Sequence, residues 1–228
     1  MSERIVGQVS RVVGPVVEAG DIADVAMIEL VYVGEERLVG EVVRIRQDRA
    51  WVQVYEDTTG LRPGAPIYGS GEPLSVELGP GLLGGIYDGV QRPLDVLRKQ
   101  TGDFVSKGVH APALARERAW GFTPSLQAPC EIKGGAILGT VQETELIQHR
   151  ILLPPDVTGK LTWIAPAGSY TVEATVARVQ GEHGERECRL SQKWPVRVGR
   201  PYDTRLAGDK PLITGQRVLD TLFPVARG

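Results

Sequence analysis

Short apolar segments separated by turn-forming residues dominate the first 70 residues of this sequence. Apolar and polar residues alternate with a period of two, which is typical of β-strands. Gly14-Pro15 and Gln47-Asp48-Arg49 have the composition of tight turns. Because five or six strands this closely spaced would leave open edges in a flat sheet, a small antiparallel β-barrel is favoured. The predicted strands cover residues 5–13, 16–17, 26–33, 39–45 and 51–55.

A nucleic-acid-binding barrel is an alternative for this region. Such barrels present surface aromatic residues among basic ones. Trp51 and Tyr55 instead alternate with valines and are interpreted as packing residues. The formal charge of −2 also provides no electrostatic basis for binding nucleic acid or an anionic membrane.

A glycine-rich stretch over residues 76–94 is interpreted as a hinge between domains. Gly79, Gly81 and Gly84 spell G-x-G-x-x-G, a dinucleotide-binding pattern, but phosphate binding there requires loop N–H groups and a helix directly behind them. Pro80 has no N–H, and no helix pattern follows at once. Asp103 has the spacing of a ribose-binding acid but follows a helix stop. A structural role is therefore favoured over dinucleotide binding.

Beyond this stretch, residues 93–100 are predicted to form a short helix that begins at Pro93 and is ended by Gly102. Alternating strand and turn signals over residues 108–192 predict a β-sandwich or barrel-sandwich. Lys160 in this region lacks the acidic or methionine neighbours of a lipoyl or biotinyl lysine, so a swinging-arm role is not favoured.

The last part of the sequence combines an extended connector with an amphipathic helix. Prolines predict an extended chain over residues 191–205. Thr214 is predicted to cap a helix that is ended by Pro224 and has Val218, Leu219, Leu222 and Phe223 on one face. Nothing after Gly228 covers that face, which suggests that the sequence stops within a domain.

Composition is that of a globular protein: 42% of the 228 residues are hydrophobic and 24% are charged. Cys130 and Cys188 do not make a disulfide framework, which favours a reducing compartment. The N-terminus lacks the apolar core of a signal peptide, and no stretch approaches the roughly 18 apolar residues of a membrane span. We therefore expect a soluble cytoplasmic chain.

No catalytic, cofactor-binding or metal-binding residue is assigned from the sequence. A P-loop requires G-x-x-x-x-G-K-[ST], because its lysine reaches the phosphates and its hydroxyl binds Mg²⁺. Only Lys160 follows a glycine, and Leu161 comes next. The motif is therefore absent from the residues given, whose lysines are Lys99, Lys107, Lys133, Lys160, Lys193 and Lys210.

Metal, nucleophile and acid–base sites are not favoured either. No two of the histidines and cysteines have zinc-ligand spacing, and His183 and Cys188 lie in a charged run interpreted as a solvated hairpin turn. Gly69-Ser70-Gly71 lacks the spacing of a nucleophile elbow. The acidic pairs are interpreted as solvated surface; they are Asp21/Asp24, Glu35/Glu36 and Glu56/Asp57. The remaining candidate ligands are His110, His149 and Cys130.

A series of motifs resembles the catalytic A subunits of V-type (A/V-type) ATP synthases and ATPases. The series spans essentially the whole sequence, and residues 77–94 are highly specific to that family. The matching runs are Gly14-Pro-Val-Val17, Leu38-Val-Gly-Glu-Val42, Val52-Gln-Val-Tyr-Glu-Asp-Thr-Thr-Gly-Leu61, residues 76–94, Leu153-Pro-Pro155, Ala167-Gly-Ser-Tyr-Thr-Val172, Trp194-Pro-Val-Arg197 and residues 211–225.

The resemblance implies a mainly β chain that enters a RecA-like α/β nucleotide-binding domain near its end. It divides the chain into a β-barrel (1–70), a glycine-rich hinge with a short helix (71–107), a barrel-sandwich-like bulge insertion (108–190) and a connector with the beginning of the nucleotide-binding domain (191–228). In the family the Walker A loop follows shortly beyond this point. The catalytic residues therefore have no counterparts here.

The resemblance also implies a function for the whole subunit: coupling ATP synthesis or hydrolysis to proton or sodium transport, with Mg-ATP or Mg-ADP bound outside the residues given. Implied partners are non-catalytic B subunits in an alternating hexameric ring, and central and peripheral stalk subunits. The implied location is peripheral to the inner face of the cell membrane. The alternative is a stand-alone β-rich interaction or assembly module without nucleotide chemistry.

Overall fold

A computed structural model describes residues 4–102, 106–182, 184–202, 204–205 and 207–227. Those residues form sixteen strands and two helices, so the chain is mainly β. The strands are β1 Arg4–Val13, β2 Val16–Gly20, β3 Glu29–Val33, β4 Leu38–Arg46, β5 Arg49–Val54, β6 Pro66–Pro73, β7 Ser75–Leu78, β8 Ala119–Pro124, β9 Cys130–Ile132, β10 Ile137–Gln142, β11 Gln148–Leu152, β12 Gly159–Ile164, β13 Gly168–Thr171, β14 Thr175–Gly181, β15 Gly184–Arg189 and β16 Gln192–Pro195; the helices are α1 Leu94–Thr101 and α2 Arg217–Leu222.

The first six strands close into an antiparallel barrel in the order β1-β2-β5-β4-β3-β6, as the strand spacing predicted. Alternate residues of each strand point inward, which is why Val17, Val31, Val42 and Val52 are fully buried in one apolar core. Tyr55 is an exception to the sequence interpretation. Its ring is 40% exposed, so it is not a core packing residue.

Two four-stranded antiparallel sheets form the second β unit, in the orders β11-β10-β8-β13 and β15-β14-β12-β9. This arrangement confirms the predicted barrel-sandwich class. Cys188 lies in the shared core, so its assignment to a solvated turn was wrong; His183 and Asp103 lie outside the described residues. The core also contains Phe122, Leu138, Leu161 and Val176.

The chain enters and leaves the sandwich through a two-stranded antiparallel ribbon, in which β16 pairs with β7. Trp194 lies opposite Val76, and Lys193 opposite Glu77. Residues 192–195 are therefore paired in a strand, whereas the prolines had predicted only an extended connector. The helix prediction is confirmed: α1 follows Pro93, and Gly102 ends it with φ of +79°.

Residues 199–228 form a separate unit. Thr214 does not cap α2, whose N-cap is Gln216 without a side-chain bond. The Thr214 hydroxyl instead donates to Asp220 Oδ1 at 2.7 Å. The Asp220 side chain points back towards the residues before the helix and accepts hydrogen bonds from them. Most of the apolar side chains in this unit are exposed, including Ile213 and Phe223.

Candidate functional site

Polar contacts are concentrated where the barrel, the glycine-rich stretch and the sandwich meet. Four carboxylates, which we call the junction carboxylates, accept hydrogen bonds from loops far away in sequence: Glu41, Glu56, Glu77 and Glu143. A cleft of about 240 Å³ lies beside one of them, Glu77, and is also lined by Tyr32, Glu72, Arg92, His110 and Lys193 among others.

Glu56 is the junction carboxylate at the barrel end of the glycine-rich stretch. Its side chain is 7% exposed, so its interpretation as solvated surface was wrong. The Val39 amide donates to Oε1 at 3.1 Å, and the Gly108 amide donates to Oε2 at 2.9 Å. The neighbouring Asp57 is exposed as expected, and a hydrogen bond from Lys107 lowers its pKa to about 2.

Arg92 connects Glu56 to the end of the glycine-rich stretch. Its Nη1 lies 3.2 Å from Glu56 Oε2 and donates to the Val109 carbonyl at 2.9 Å. Its Nε donates to Asp88 Oδ2 at 2.7 Å. Because the Arg92 side chain is only 11% exposed, these bonds compensate for the burial of its charge.

Glu41 lies in the barrel wall and is 1% exposed, yet it is charged and paired. Tyr55 donates its hydroxyl proton to Glu41 Oε2 at 2.9 Å, and Arg197 donates from Nε to Oε1 at 2.8 Å. The bond from Arg197 holds the pKa of Glu41 below its usual range, although burial opposes the shift. Burial and the bond to Glu41 raise the pKa of Tyr55.

Glu77 lies in the ribbon and binds the segment that leads into the sandwich. Arg116 forms an ion pair with it, and the Leu114 amide donates to Oε2 at 3.4 Å. The Glu77 backbone makes two further bonds with the Gln91 side chain, at 2.6 and 2.7 Å. These contacts hold the C-terminal end of the glycine-rich stretch and the segment that leads into the sandwich against the ribbon.

Glu143 fills the position that a phosphate would take in a glycine-rich loop. Gly81 and Leu83 donate their amides to its Oε1 at 2.7 and 3.1 Å, and His149 Nδ1 lies 2.8 Å from Oε2. Burial raises the pKa of this carboxyl, but the bonds to the amides and His149 outweigh burial and lower it. The G-x-G pattern therefore binds an internal carboxylate, in agreement with a structural role.

The other candidate ligands lie apart. His110 packs edge-on against Tyr32, with ring centroids 5.3 Å apart. Cys130 is half-buried in β9. Among the residues that the structure describes, no three His, Cys, Asp or Glu side chains are grouped to hold a metal, and no helix has the length and apolar composition needed to cross a membrane.

Sequence reasoning missed the junction carboxylates because each is bound by residues from a distant segment. One local signal was present: Glu41 interrupts the apolar run Leu38-Val-Gly-Glu-Val42 at the centre of a predicted strand. A carboxylate at such a position needs a buried partner. Chemically, these groups position the two β units against the glycine-rich stretch.

The barrel and the barrel-sandwich, joined through this junction, define a known class of protein. Residues 9–71 match the family model for the beta-barrel domain of the ATP synthase alpha/beta family. Residues 111–197 match the family model for the barrel-sandwich domain of ATP synthase alpha/beta subunits. Together the matches take in about two thirds of the 228 residues, and the chain belongs to the ATP synthase alpha/beta family.

Within this family, the chain is similar to A subunits of A-type ATP synthases. The A subunit of the A-type ATP synthase of Methanopyrus kandleri is 52% identical over 229 residues, covering 100% of this chain and 39% of the relative. Its counterpart in Hyperthermus butylicus is 53% identical over 225 residues, covering 97% of this chain and 37% of the relative. These similarities confirm the resemblance found in the sequence. The chain spans under two fifths of the length of these curated relatives.

Proposed function

We propose that this chain is the N-terminal part of the catalytic A subunit of a rotary A/V-type ATP synthase. The observation that carries the proposal is the 52% identity, along the whole chain, to the A subunit of an A-type ATP synthase. The complete protein would couple ATP synthesis or hydrolysis to proton or sodium transport across a membrane. Its location would be peripheral to the inner face of the cell membrane, as part of the complex.

The β units supply surfaces for assembly in this proposal. Residues 1–70 would contact neighbouring non-catalytic B subunits in an alternating hexameric ring, and residues 108–190 would face the stalk subunits. Residues 71–107 would join the two, and residues 191–228 would begin the nucleotide-binding domain. The junction supports this division, because bound carboxylates hold the glycine-rich stretch against both β units.

Mg-ATP or Mg-ADP would bind to the complete protein, and the residues that the structure describes do not fit it. Gly81 and Leu83 direct their amides to Glu143, and Pro80 between the first two glycines has no N–H to donate. No lysine in the sequence stands in a G-x-x-x-x-G-K-[ST] motif. The chain given should therefore hydrolyse no ATP when pure.

The proposal is tested first by sequencing the native gene beyond the codon for Gly228. We expect a G-x-x-x-x-G-K-[ST] motif within about 20 codons, because the phosphate lysine and the Mg²⁺-binding hydroxyl must be supplied there. A stop codon at that point would instead support a stand-alone interaction module. ATPase activity of the pure 228-residue chain would also contradict the proposal.

A further inference from the structure

The barrel and the sandwich have separate apolar cores. The barrel core includes Val6 and Ile67, the sandwich core includes Leu114 and Leu190, and no described residue belongs to both. A cleft beside the barrel is lined by residues of the barrel, the ribbon and the glycine-rich stretch, including Tyr32, Glu77 and Arg92. Since no shared core sets their orientation, the contacts along the connecting segments do so, both the polar ones and that of Leu82, which packs against the sandwich core.

The glycine-rich stretch is one of these connecting segments, and buried carboxylates hold it on both sides of a glycine pair. Arg92 binds Glu56 of the barrel at 3.2 Å, and Gly81 binds Glu143 of the sandwich at 2.7 Å. Between these points Gly84 has φ of +81°, and nothing lies within 4 Å of where its Cβ would be. Gly84 and Gly85 are exposed. Gly84 therefore has the backbone freedom of a hinge when one end is released, whereas a Cβ on Gly85 would meet the Tyr87 ring.

We propose that Glu143 is a latch for this hinge: its carboxylate binds the amides of Gly81 and Leu83 and thereby holds residues 81–83, on the N-terminal side of Gly84, against the sandwich. The two amides and the left-handed backbone of Gly81, with φ of +109°, form a small anion-binding concavity. The latch is a property of this chain by itself and does not depend on the proposed role in ATP synthesis.

The chemistry of the contact explains why a carboxylate is used. Glu143 has a side chain that is 2% exposed, so water cannot replace its partners. One oxygen accepts both amides, and the other binds His149 at 2.8 Å. Hydrogen bonds to a charged acceptor are about twice as strong as those between neutral groups. The isosteric glutamine side chain of a Glu143→Gln variant would offer only a neutral oxygen to the loop.

Amide hydrogen exchange of the 228-residue chain, resolved by residue with NMR, tests the latch. In Glu143→Gln we expect the Gly81 and Leu83 amides to exchange on the order of tenfold faster or more, because their charged acceptor is lost. Amides of the sandwich core, such as Leu138 and Leu161, should keep their wild-type rates. Glu145→Gln, in the exposed turn of the same hairpin, is the matched control and should change neither amide.

Two results of this experiment would overturn the latch. Unchanged exchange at Gly81 and Leu83 in Glu143→Gln would show that the carboxylate does not hold the loop. A uniform increase through Leu138 and Leu161 would show that Glu143 only stabilises the sandwich as a whole. Proteolysis provides an independent measure: thermolysin should cut before Leu83 or Ile86, which are exposed, faster in Glu143→Gln than in the wild type.

Rescue by a small carboxylate tests the anion-binding concavity directly. Glu143→Ala leaves the two amides without an acceptor, and sodium formate should slow their exchange again. Sodium chloride at the same ionic strength should not slow their exchange, and formate should leave the exchange rates of these amides in the wild type unchanged. Formate without effect on a folded Glu143→Ala chain would contradict the concavity; if that variant does not fold, Glu143→Gln decides the proposal.

Discussion

Arg197 binds Glu41 across 156 residues of sequence, with Nε 2.8 Å from Oε1. Glu41 lies in the wall of the barrel, and Arg197 follows directly after the ribbon strand Gln192–Pro195. The pair therefore ties the chain that leaves the sandwich to the barrel where the sequence began. Tyr55 supports the same carboxylate from the barrel side.

The Glu41 pair should make stability depend on pH. Because the bond from Arg197 lowers the folded-state pKa of Glu41, its contribution is present above the unfolded value of about 4.3 and is lost as the pH falls through the folded value. Urea unfolding should show the wild type more stable than Glu41→Gln at pH 7, with the difference shrinking below about pH 4. A difference that stays constant or grows on acidification would contradict this.

Removing Arg92 should strongly destabilise the junction. Arg92→Met leaves the carboxylates of Glu56 and Asp88 without their cation, and breaking a buried pair costs about 3–5 kcal/mol of unfolding free energy. Denaturant unfolding measures the loss. Lys99→Met on the exposed face of α1 is the control, and its free energy of unfolding should stay within about 0.5 kcal/mol of the wild-type value. A similar effect of both substitutions would argue against a specific role for Arg92.

Gly108 should not tolerate a side chain. Its φ is +65°, and a Cβ there would lie 1.7 Å from the Glu36 carbonyl oxygen of the barrel. We expect Gly108→Ala to lose more than about 2 kcal/mol of unfolding free energy. The backbone must move to make room for the Cβ, and the hydrogen bond from the Gly108 amide to Glu56 is lost as well. In the control Gly121→Ala, nothing lies within 4 Å of the added carbon. A melting temperature for Gly108→Ala equal to that of Gly121→Ala would contradict this packing.

The two cysteines should differ in reactivity. Burial raises the pKa of the Cys188 thiol to about 11, so little thiolate forms near neutral pH. Cys130 is only half-buried. Iodoacetamide at about pH 7.5 should label Cys130 first, and Cys188 should react only after unfolding in urea. The Cys130→Ser chain isolates the second thiol; rapid labelling of that folded variant would show that Cys188 is accessible.

Local patterns predicted the elements well. The period-two alternation of the first 70 residues placed five of the six barrel strands, since inward and outward side chains differ in polarity along each strand, but β6 was not among the predicted segments. Pro93 and Gly102 placed both ends of α1 to within a residue. Thr214 misled the prediction of the second helix start, because its oxygen accepts an amide proton from Gln216, before the helix, and none from the first turn of α2, while its hydroxyl donates to Asp220.

The candidate site could not be predicted in the same way. Glu56 looked like half of an exposed acidic pair until Arg92 and Gly108 were found against it. Glu143 gave no local indication that it binds Gly81, 62 residues earlier in the chain. Such contacts join groups that only the folded chain brings together. The residues next to a carboxylate in the sequence do not indicate which amide will bind it.

The amino-acid sequence alone was enough to establish the class of fold, five of the six barrel strands, the family and the absence of a P-loop among these residues. These follow from alternation, turn chemistry and contiguous motifs, which are local along the chain. The folded chain was needed to show that the glycine-rich stretch is held by Glu56, Glu77 and Glu143. A buried charge must find its partners wherever the fold places them, because water is no longer there to solvate it.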